Sequence, residues 1–216
     1  MLFRSANRDG IREELCLEAM RLTMLLGDSP HTDRPASRAL LALMCFHSAR
    51  LPARRDEQGH LVLLLDQDRS RWDWALVGRG FTALQASEPE SGLTSYHLEA
   101  LISAKHLLAP SPEETDWAGL AELYAKLWEL QPSPVVRLSQ AVVEGRLRGP
   151  RAGLALLDDV KKLAKYPYFH AARGELLADA GRVEEAREAY EEALALCTNE
   201  AEAAVLRRKV ENLGVG

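Results

Sequence analysis

The stretch "HAARGELLADAGRVEEAREAYEEALAL", residues 170–196, decides the fold. Apolar residues recur at helical spacing in each half, and Gly181 separates the two halves. Gly174 and Ala186 are small where two such helices must approach closely, whereas Tyr190 is large enough to fill the contact with a neighbouring helix. The stretch therefore predicts two helices that are joined by a tight turn and packed against each other.

The same pattern recurs through the second half of the chain with a period of 33 residues. The aligned sets are Tyr124, Leu157 and Tyr190; Leu127, Val160 and Ala193; Leu130, Leu163 and Leu196; and Ala141 with Gly174. A period of about 34 residues with a helix–turn–helix in each unit is typical of tetratricopeptide repeats, which bury their apolar faces by stacking. The sequence therefore predicts an all-α fold, a tetratricopeptide-like helical repeat (α-solenoid) with an N-terminal helical cap.

Helical periodicity extends over most of the remaining chain, and we expect about ten helices in all. We predict two domains: residues 1–92 form the N-terminal helical cap, and residues 93–216 form the repeats and a C-terminal capping helix. The helix over residues 35–49 is so apolar that it should be central, and the first helix carries leucines at helical spacing, including Leu15 and Leu22. Only the apolar run over residues 61–65 is compatible with a short strand.

Four helix starts are predicted from a polar cap residue followed by an acidic residue or a proline. They lie at Ser70, Ser111, Ser133 and Asn199. Each of these side chains can accept a hydrogen bond from a main-chain N–H of the first helical turn, which has no partner within the helix.

The composition argues against several classes of function. The chain of 216 residues has a net charge of −5, which makes it a poor nucleic-acid binder because affinity for phosphate rests on clustered positive charge. No apolar run approaches the roughly 20 residues of a membrane span, and the first ten residues lack the apolar core of a signal peptide. Cys16, Cys45 and Cys197 are far apart without metal-ligand spacing, which favours reduced thiols in a cytoplasmic protein.

The sequence carries none of the common catalytic or metal-binding motifs, so we expect no enzyme activity, cofactor or metal. His97 and His106 are nine residues apart and lie on opposite sides of a helix, so they cannot bind one ion. Packing roles are favoured for His47 and His170. The segment that begins at Asp66 superficially resembles a calcium loop, but it lacks the glycine and the terminal glutamate of such loops.

The segment "DQDRSRWDW", residues 66–74, is the most unusual part of the chain, and we call it the junction. Arg69 and Arg71 can donate to nearby aspartates, which permits an internal ion network. Trp72 and Trp74 are two residues apart, so both cannot face one core if a helix begins at Ser70. One tryptophan is expected in the core and the other under a neighbouring loop or at an interface. A structural staple and a partner contact both remain open for this segment, whose candidate partner-binding residues are Asp66, Asp68, Arg69, Arg71, Trp72 and Trp74.

The residues around the junction carry a family resemblance. The stretch "ALLALMCFHSARLPARRDEQGHLVLLLDQDRSRWDWALV" resembles the C-terminal extension of bacterial extracytoplasmic-function (ECF) RNA polymerase sigma factors that bear a tetratricopeptide-like domain. The segments "YHLEALISAKHL", "TDWAGLAELYAKLWELQPSPVVRLSQAV" and "GLALLD" are similar to the same domain in order and spacing. The resemblance covers residues 11–213 and does not include the N-terminal sigma domains of that family.

The resemblance implies a non-enzymatic regulatory domain that contacts a protein partner, either sigma domains or the RNA polymerase core. It implies no direct binding of promoter DNA by this chain, because the promoter-reading helices belong to the sigma domains. The alternative is a general tetratricopeptide-like scaffold that binds a peptide or a protein unrelated to transcription, since a fold alone does not specify a function.

Overall fold

The structure is a computed structural model that describes residues 13–27, 32–89 and 92–214, and within these ranges the regular elements are all helical. The ten α-helices of the described residues are α1 (Glu13–Gly27), α2 (Pro35–Ala49), α3 (Trp74–Gln85), α4 (Ser95–Leu108), α5 (Trp117–Leu130), α6 (Pro134–Arg148), α7 (Pro150–Asp158), α8 (Pro167–Asp179), α9 (Val183–Leu196) and α10 (Glu200–Glu211). The predicted all-α fold is confirmed. The only pairing of extended chain in these ranges is an isolated bridge between Arg55 and Leu61, so the segment compatible with a strand forms none.

The described residues pack into two compact units that divide between Gly119 and Leu120, within the first turn of α5. We call residues 13–119 the N-terminal unit and residues 120–214 the C-terminal unit. This division reflects how the residues pack together. The predicted limits, residues 1–92 and 93–216, describe instead where the repeats begin and end, and they remain a prediction. The first ten residues, on which the absence of a signal peptide was argued, lie outside the described residues.

Helix α2 forms the centre of the N-terminal unit, as its apolar sequence predicts, and α1, α3 and α4 pack against it. Its buried residues form one cluster with side chains of α3, α4 and the junction. A Cβ atom added at Gly80 of α3 would lie 2.5 Å from Phe46 Cε1, so the close packing of α2 on α3 requires glycine there. On α1 the structure buries Met20 and Thr23.

Leu15 and Leu22 of α1 are about half exposed, at 51% and 50%. Helical spacing therefore locates α1 correctly, but the stripe of leucines that defines the pattern does not face the core in this unit.

The C-terminal unit is built from helix pairs, in which α6 packs on α7, α8 on α9, and α10 on α9. Tyr190 is buried against the small residue that the repeat pattern requires, since a Cβ atom added at Gly174 would lie 2.7 Å from Tyr190 Cδ1. Gly181 makes the turn between α8 and α9 with a φ of +72°, a conformation that glycine adopts without strain. The aligned repeat positions Leu130, Leu163 and Leu196 are less regular, because Leu130 ends α5 and is 51% exposed.

Two of the four predicted helix starts are confirmed by cap hydrogen bonds. Ser133 Oγ accepts from Val136 N at 3.2 Å, and Asn199 Oδ1 accepts from Glu202 N at 3.1 Å. The start at Ser111 is wrong, because α5 begins only at Trp117.

The predicted start at Ser70 is also wrong. Asp68 Oδ1 accepts from the Ser70 N–H and from its hydroxyl, which holds a short 3-10 turn over Arg69–Arg71. Trp72 is then extended, and Asp73 caps α3 by accepting from Leu76 N at 3.0 Å. The helix therefore begins three residues later than a cap at Ser70 predicts, since Asp73 is the cap and Trp74 the first helical residue.

Candidate interaction site at the end of helix α2

The junction is held against the C-terminal end of α2 and the segment that follows it by hydrogen bonds to main-chain carbonyl oxygens. Asp73 N donates to Ala49 O at 2.8 Å, and Arg71 Nη1 donates to Arg55 O at 2.9 Å. The turn Arg69–Arg71 also packs against the 3-10 turn Leu51–Ala53 that follows α2. Main-chain groups therefore fix the position of the junction, which gives its side chains a defined setting.

Two aspartates of the junction, Asp68 and Asp73, accept hydrogen bonds from main-chain N–H groups. Asp68 bonds with Ser70, and these bonds lower the pKa of the Asp68 carboxyl below its usual value. Asp73 is the cap of α3, and Asp66 is exposed at the end of the short turn Leu64–Asp66. The acidic side chains thus stabilise local backbone geometry.

The junction arginines donate to carbonyl oxygens. Arg69 Nη1 donates to Ala109 O, and its guanidinium carbon lies 5.2 Å from the centroid of the Trp72 ring, within reach of a cation–π contact. Among the ion pairs of the described residues, none includes Arg69 or Arg71. The internal ion network that the sequence permits is therefore not formed by these two arginines.

The two tryptophans have different environments, in keeping with their spacing. Trp72 is 3% exposed and packs in the cluster that contains Ala49 and Ala53. Trp74, in contrast, is 53% exposed. Its Nε1 donates to Arg69 O at 3.2 Å, and its ring centroid lies 5.9 Å from that of Trp72. The site thus presents one oriented indole to solvent on top of a buried one.

Sequence reasoning missed two arginines at the same end of α2. Arg50 and Arg54 are each only 7% exposed, although arginine side chains mostly lie at the surface. Burial lowers the pKa of Arg50 to about 9, with a further contribution from the charge of Arg54, and burial lowers the pKa of Arg54 to about 10. In the sequence they read as ordinary basic residues after a helix, and no local pattern marks their burial.

His47 lies beside Arg50 and is the one hydrogen-bond partner that its guanidinium finds among the described residues. The distance from Arg50 Nη2 to His47 Nδ1 is 3.4 Å. Burial, followed by the charge of Arg50, holds the pKa of His47 well below its usual value, so the imidazole is neutral and can accept. Burial also lowers the pKa of His106, to about 4. The interior at this end of α2 therefore contains guanidinium charge beside neutral imidazoles.

A cavity of about 500 Å³ lies in the C-terminal unit, and its lining includes Phe169, His170, Arg173 and Arg182. His170 Nε2 lies 2.8 Å from Ala164 O, and its Nδ1 lies 2.6 Å from a carboxylate oxygen of Glu192. Arg182 Nε donates to Glu185 at 2.7 Å. These polar groups of the cavity are engaged in structural contacts, as the packing role predicted for His170 requires.

The described residues offer neither a cluster of metal ligands nor a helix that could cross a membrane. No group of three or more His, Cys, Asp or Glu side chains within them is arranged to hold a metal ion. None of their helices combines the length and the apolar character that crossing a membrane demands.

Comparison with known proteins finds two family models. The model of a family of unknown function (DUF6596) matches residues 3–88, and the model of a tetratricopeptide repeat-like domain matches residues 67–215. An uncharacterized protein of Rhizobium meliloti (strain 1021) is 38% identical over 206 residues, which are 95% of this chain and 48% of the relative. The chain thus spans about half the length of this curated relative. No solved structure matches.

Proposed function

The chain belongs to the tetratricopeptide repeat-like domain family, and we propose that it is a non-enzymatic regulatory domain of a sigma-factor-like transcription regulator. The family membership supports the coarser part of this proposal, a helical scaffold for protein interaction. The finer part, the sigma domains or RNA polymerase core as the partner, is supported by the resemblance of the segment around the junction. The cytoplasmic location proposed for the protein follows from the same partner.

The observation that carries the proposal is the exposure of Trp74. A tryptophan that is 53% exposed but fixed by its own hydrogen bond loses little conformational entropy when a partner covers it. Tryptophan and arginine dominate the hot spots of protein interfaces, and Arg71 is exposed beside it in the junction. We therefore assign the partner contact to the junction residues Asp66, Asp68, Arg69, Arg71, Trp72 and Trp74, with Trp72 as the buried support for Trp74.

Regulation would operate through the relative affinity of the junction for two states of the sigma domains. A domain that binds one state more tightly than the other shifts the population towards that state by the difference in binding free energy. The chain itself would need no chemistry and no cofactor for this role. Direct promoter binding is not part of the proposal, because the net charge of the chain is −5.

The test is a binding measurement with separately expressed sigma domains and, in parallel, RNA polymerase core enzyme. We expect micromolar or tighter binding of the wild type to one of them and a loss of about 30-fold for Trp74→Ala, as for a typical hot spot. Tyr96→Ala is the matched control, because Tyr96 is a 43% exposed aromatic residue on α4 of the same unit. If the wild type binds neither partner at micromolar concentration, the sigma-regulatory function is wrong.

The alternative function, a scaffold for a peptide unrelated to transcription, is favoured by the cavity of the C-terminal unit. Its volume of about 500 Å³ and its apolar lining would accept a large side chain, and Arg173 lies exposed at its edge. Under this alternative, Arg173→Ala weakens binding of the partner and Trp74→Ala does not. The opposite pattern favours the junction as the interaction site.

A further inference from the structure

The structure contains a buried guanidinium, that of Arg50, for which no anionic partner is found among the described residues. Arg50 caps the C-terminal end of α2 and is 7% exposed, yet its Nε has no hydrogen-bond partner. Within the described residues, the hydrogen bond of its side chain is the one to His47 Nδ1 at 3.4 Å. Native proteins satisfy most buried donors, so a buried charged donor without an acceptor calls for an explanation.

A second unsatisfied donor lies in the adjoining cluster. Trp72 Nε1 is buried without a hydrogen-bond partner, and its ring packs in the cluster that includes Ala49 and Ala53, the residues on either side of the Arg50 turn. Two donors, one of them cationic, therefore have unused hydrogen-bonding capacity where the junction meets α2. The C-terminal dipole of α2 favours a cation at this position, but it offers the Arg50 Nε no acceptor.

We propose that Arg50 is the centre of an oxyanion receptor that takes a carboxylate from an aspartate or glutamate of the protein partner. Arginine binds carboxylates through directed N–H donors, and the Arg50 Nε–H is a donor without an acceptor. Arg54, equally buried, adds positive charge beside Arg50.

The burial of the site selects the source of the oxyanion. A nucleic acid is bound by exposed cationic side chains that follow its backbone, whereas Arg50 and Arg54 are each 7% exposed. A carboxylate on one side chain is small, and Trp74, the exposed indole that we assign to the same partner, lies on the junction that packs against this end of α2. The identity of the partner that supplies the carboxylate rests on the proposed function. The existence of the receptor at Arg50 does not.

The test uses the full chain alone and small anions as probes. Thermal unfolding is followed by circular dichroism at neutral pH in sodium acetate, sodium phosphate and sodium chloride at equal ionic strength. We expect acetate to raise the melting temperature of the wild type by about 2 °C or more above chloride. Arg50→Gln should abolish this difference, whereas Arg79→Gln, a change at an exposed arginine of α3, should retain it.

Three results would overturn the inference: no acetate-specific rise in the wild type, the same rise in Arg50→Gln, or a rise with phosphate alone. Should Arg50→Gln fail to fold, the wild type is titrated with acetate and its arginine Nε–H signals are followed by NMR. The Arg50 signal is identified as the one that is missing in Arg50→Lys. That signal must then shift with acetate. If sigma domains bind but acetate does not raise the melting temperature, the receptor is wrong and the proposed function stands. If acetate raises the melting temperature but sigma domains do not bind, the receptor stands and the proposed function is wrong.

Discussion

Replacement of Arg50 by methionine should stabilise the free protein. Methionine retains the apolar stem of the side chain and removes a charge that is 7% exposed and has no anionic partner among the described residues. Most core substitutions destabilise, so an increase in the free energy of unfolding would be a distinctive result. The experiment requires a buffer without carboxylate or phosphate, because an anion bound at Arg50 would conceal the effect.

The magnitude follows from the pKa of Arg50, which burial lowers from its ordinary value to about 9. The difference of about 3.5, at about 1.4 kcal/mol for each pH unit, gives an upper limit of about 5 kcal/mol for the unfavourable free energy of holding the charge. Apolar replacement of buried charges typically stabilises by about 1–4 kcal/mol, since the remaining structure relaxes around the charge. We therefore expect a gain of about 1–4 kcal/mol, or a rise of about 3–10 °C in melting temperature.

The pH dependence gives an independent check of the cause. The folded pKa of Arg50 is lowered, so the unfolded chain binds the proton more tightly than the folded chain does. The destabilisation by the charge is therefore complete at neutral pH and declines as the pH rises above about 9, the pKa of Arg50 in the folded protein. The advantage of Arg50→Met over the wild type should be constant up to about pH 8 and should narrow above pH 9.

The assay is urea denaturation followed by circular dichroism across this pH range. Arg79→Met serves as the control, because Arg79 is exposed and its replacement should change the free energy of unfolding by no more than about 0.5 kcal/mol. A loss of stability in Arg50→Met at neutral pH would refute the reasoning, since it would mean that Arg50 makes favourable contacts that outweigh its desolvation. An advantage that does not narrow above pH 9 would refute the assigned cause.

Three further predictions concern the fold and use the same denaturation assay. Gly80→Ala should destabilise the protein by about 1–3 kcal/mol, because the added methyl group would overpack the contact of α3 with α2. Gly78→Ala, on the same helix but in open space, should stabilise it by about 0.5–1 kcal/mol. Equal effects of the two substitutions would contradict the observed packing of α2 on α3. Asp73→Ala should lower the free energy of unfolding by about 1 kcal/mol, because α3 loses its cap, and Ser70→Ala should lower it by less. The opposite order would indicate that the helix begins at Ser70. Gly174→Ala should destabilise by about 1–3 kcal/mol, and a neutral result would argue against the packing of α8 on α9.

The repeat was predictable because its signals are local. Apolar spacing defines each helix, a small residue such as Gly174 marks the close contact, and Gly181 has a φ of +72° in the turn that it was predicted to make. The helix caps were predictable only in part, because a cap depends on which of several acceptors takes the free N–H groups. At the junction Asp68 holds Ser70, so Asp73 becomes the cap of α3.

The orientation of α1 could not be derived from its own sequence. Its leucines recur at helical spacing, but which face meets α2 depends on the surfaces that the rest of the unit offers. The structure buries Met20 and Thr23 and leaves Leu15 and Leu22 about half exposed. Periodicity therefore identifies the element and its amphipathic character, whereas the buried face is a property of the tertiary packing.

The candidate site was predictable in position but not in its chemistry. The junction attracts notice by its charges and tryptophans. A helix from Ser70 predicts one buried and one exposed tryptophan, and this division is found, but Trp72 is extended and is buried by packing in the cluster with Ala49 and Ala53. Nothing in the sequence distinguishes Arg50 from the exposed arginines, because its burial results from long-range packing of the junction against α2. Nor does the sequence show that the aspartates are committed to main-chain N–H groups.

This arrangement of charges connects stability with binding. A sequence selected for stability alone would place a carboxylate or an apolar side chain where Arg50 is buried, since an unpaired buried charge is unfavourable. Local conflicts of this kind are expected at functional sites, where a partner supplies the missing interaction. The proposed receptor makes a specific connection: the substitution that stabilises the free chain, Arg50→Met, should also weaken its binding to the partner. A variant that gained stability and kept full affinity would separate the two effects and leave the buried charge without a function in binding.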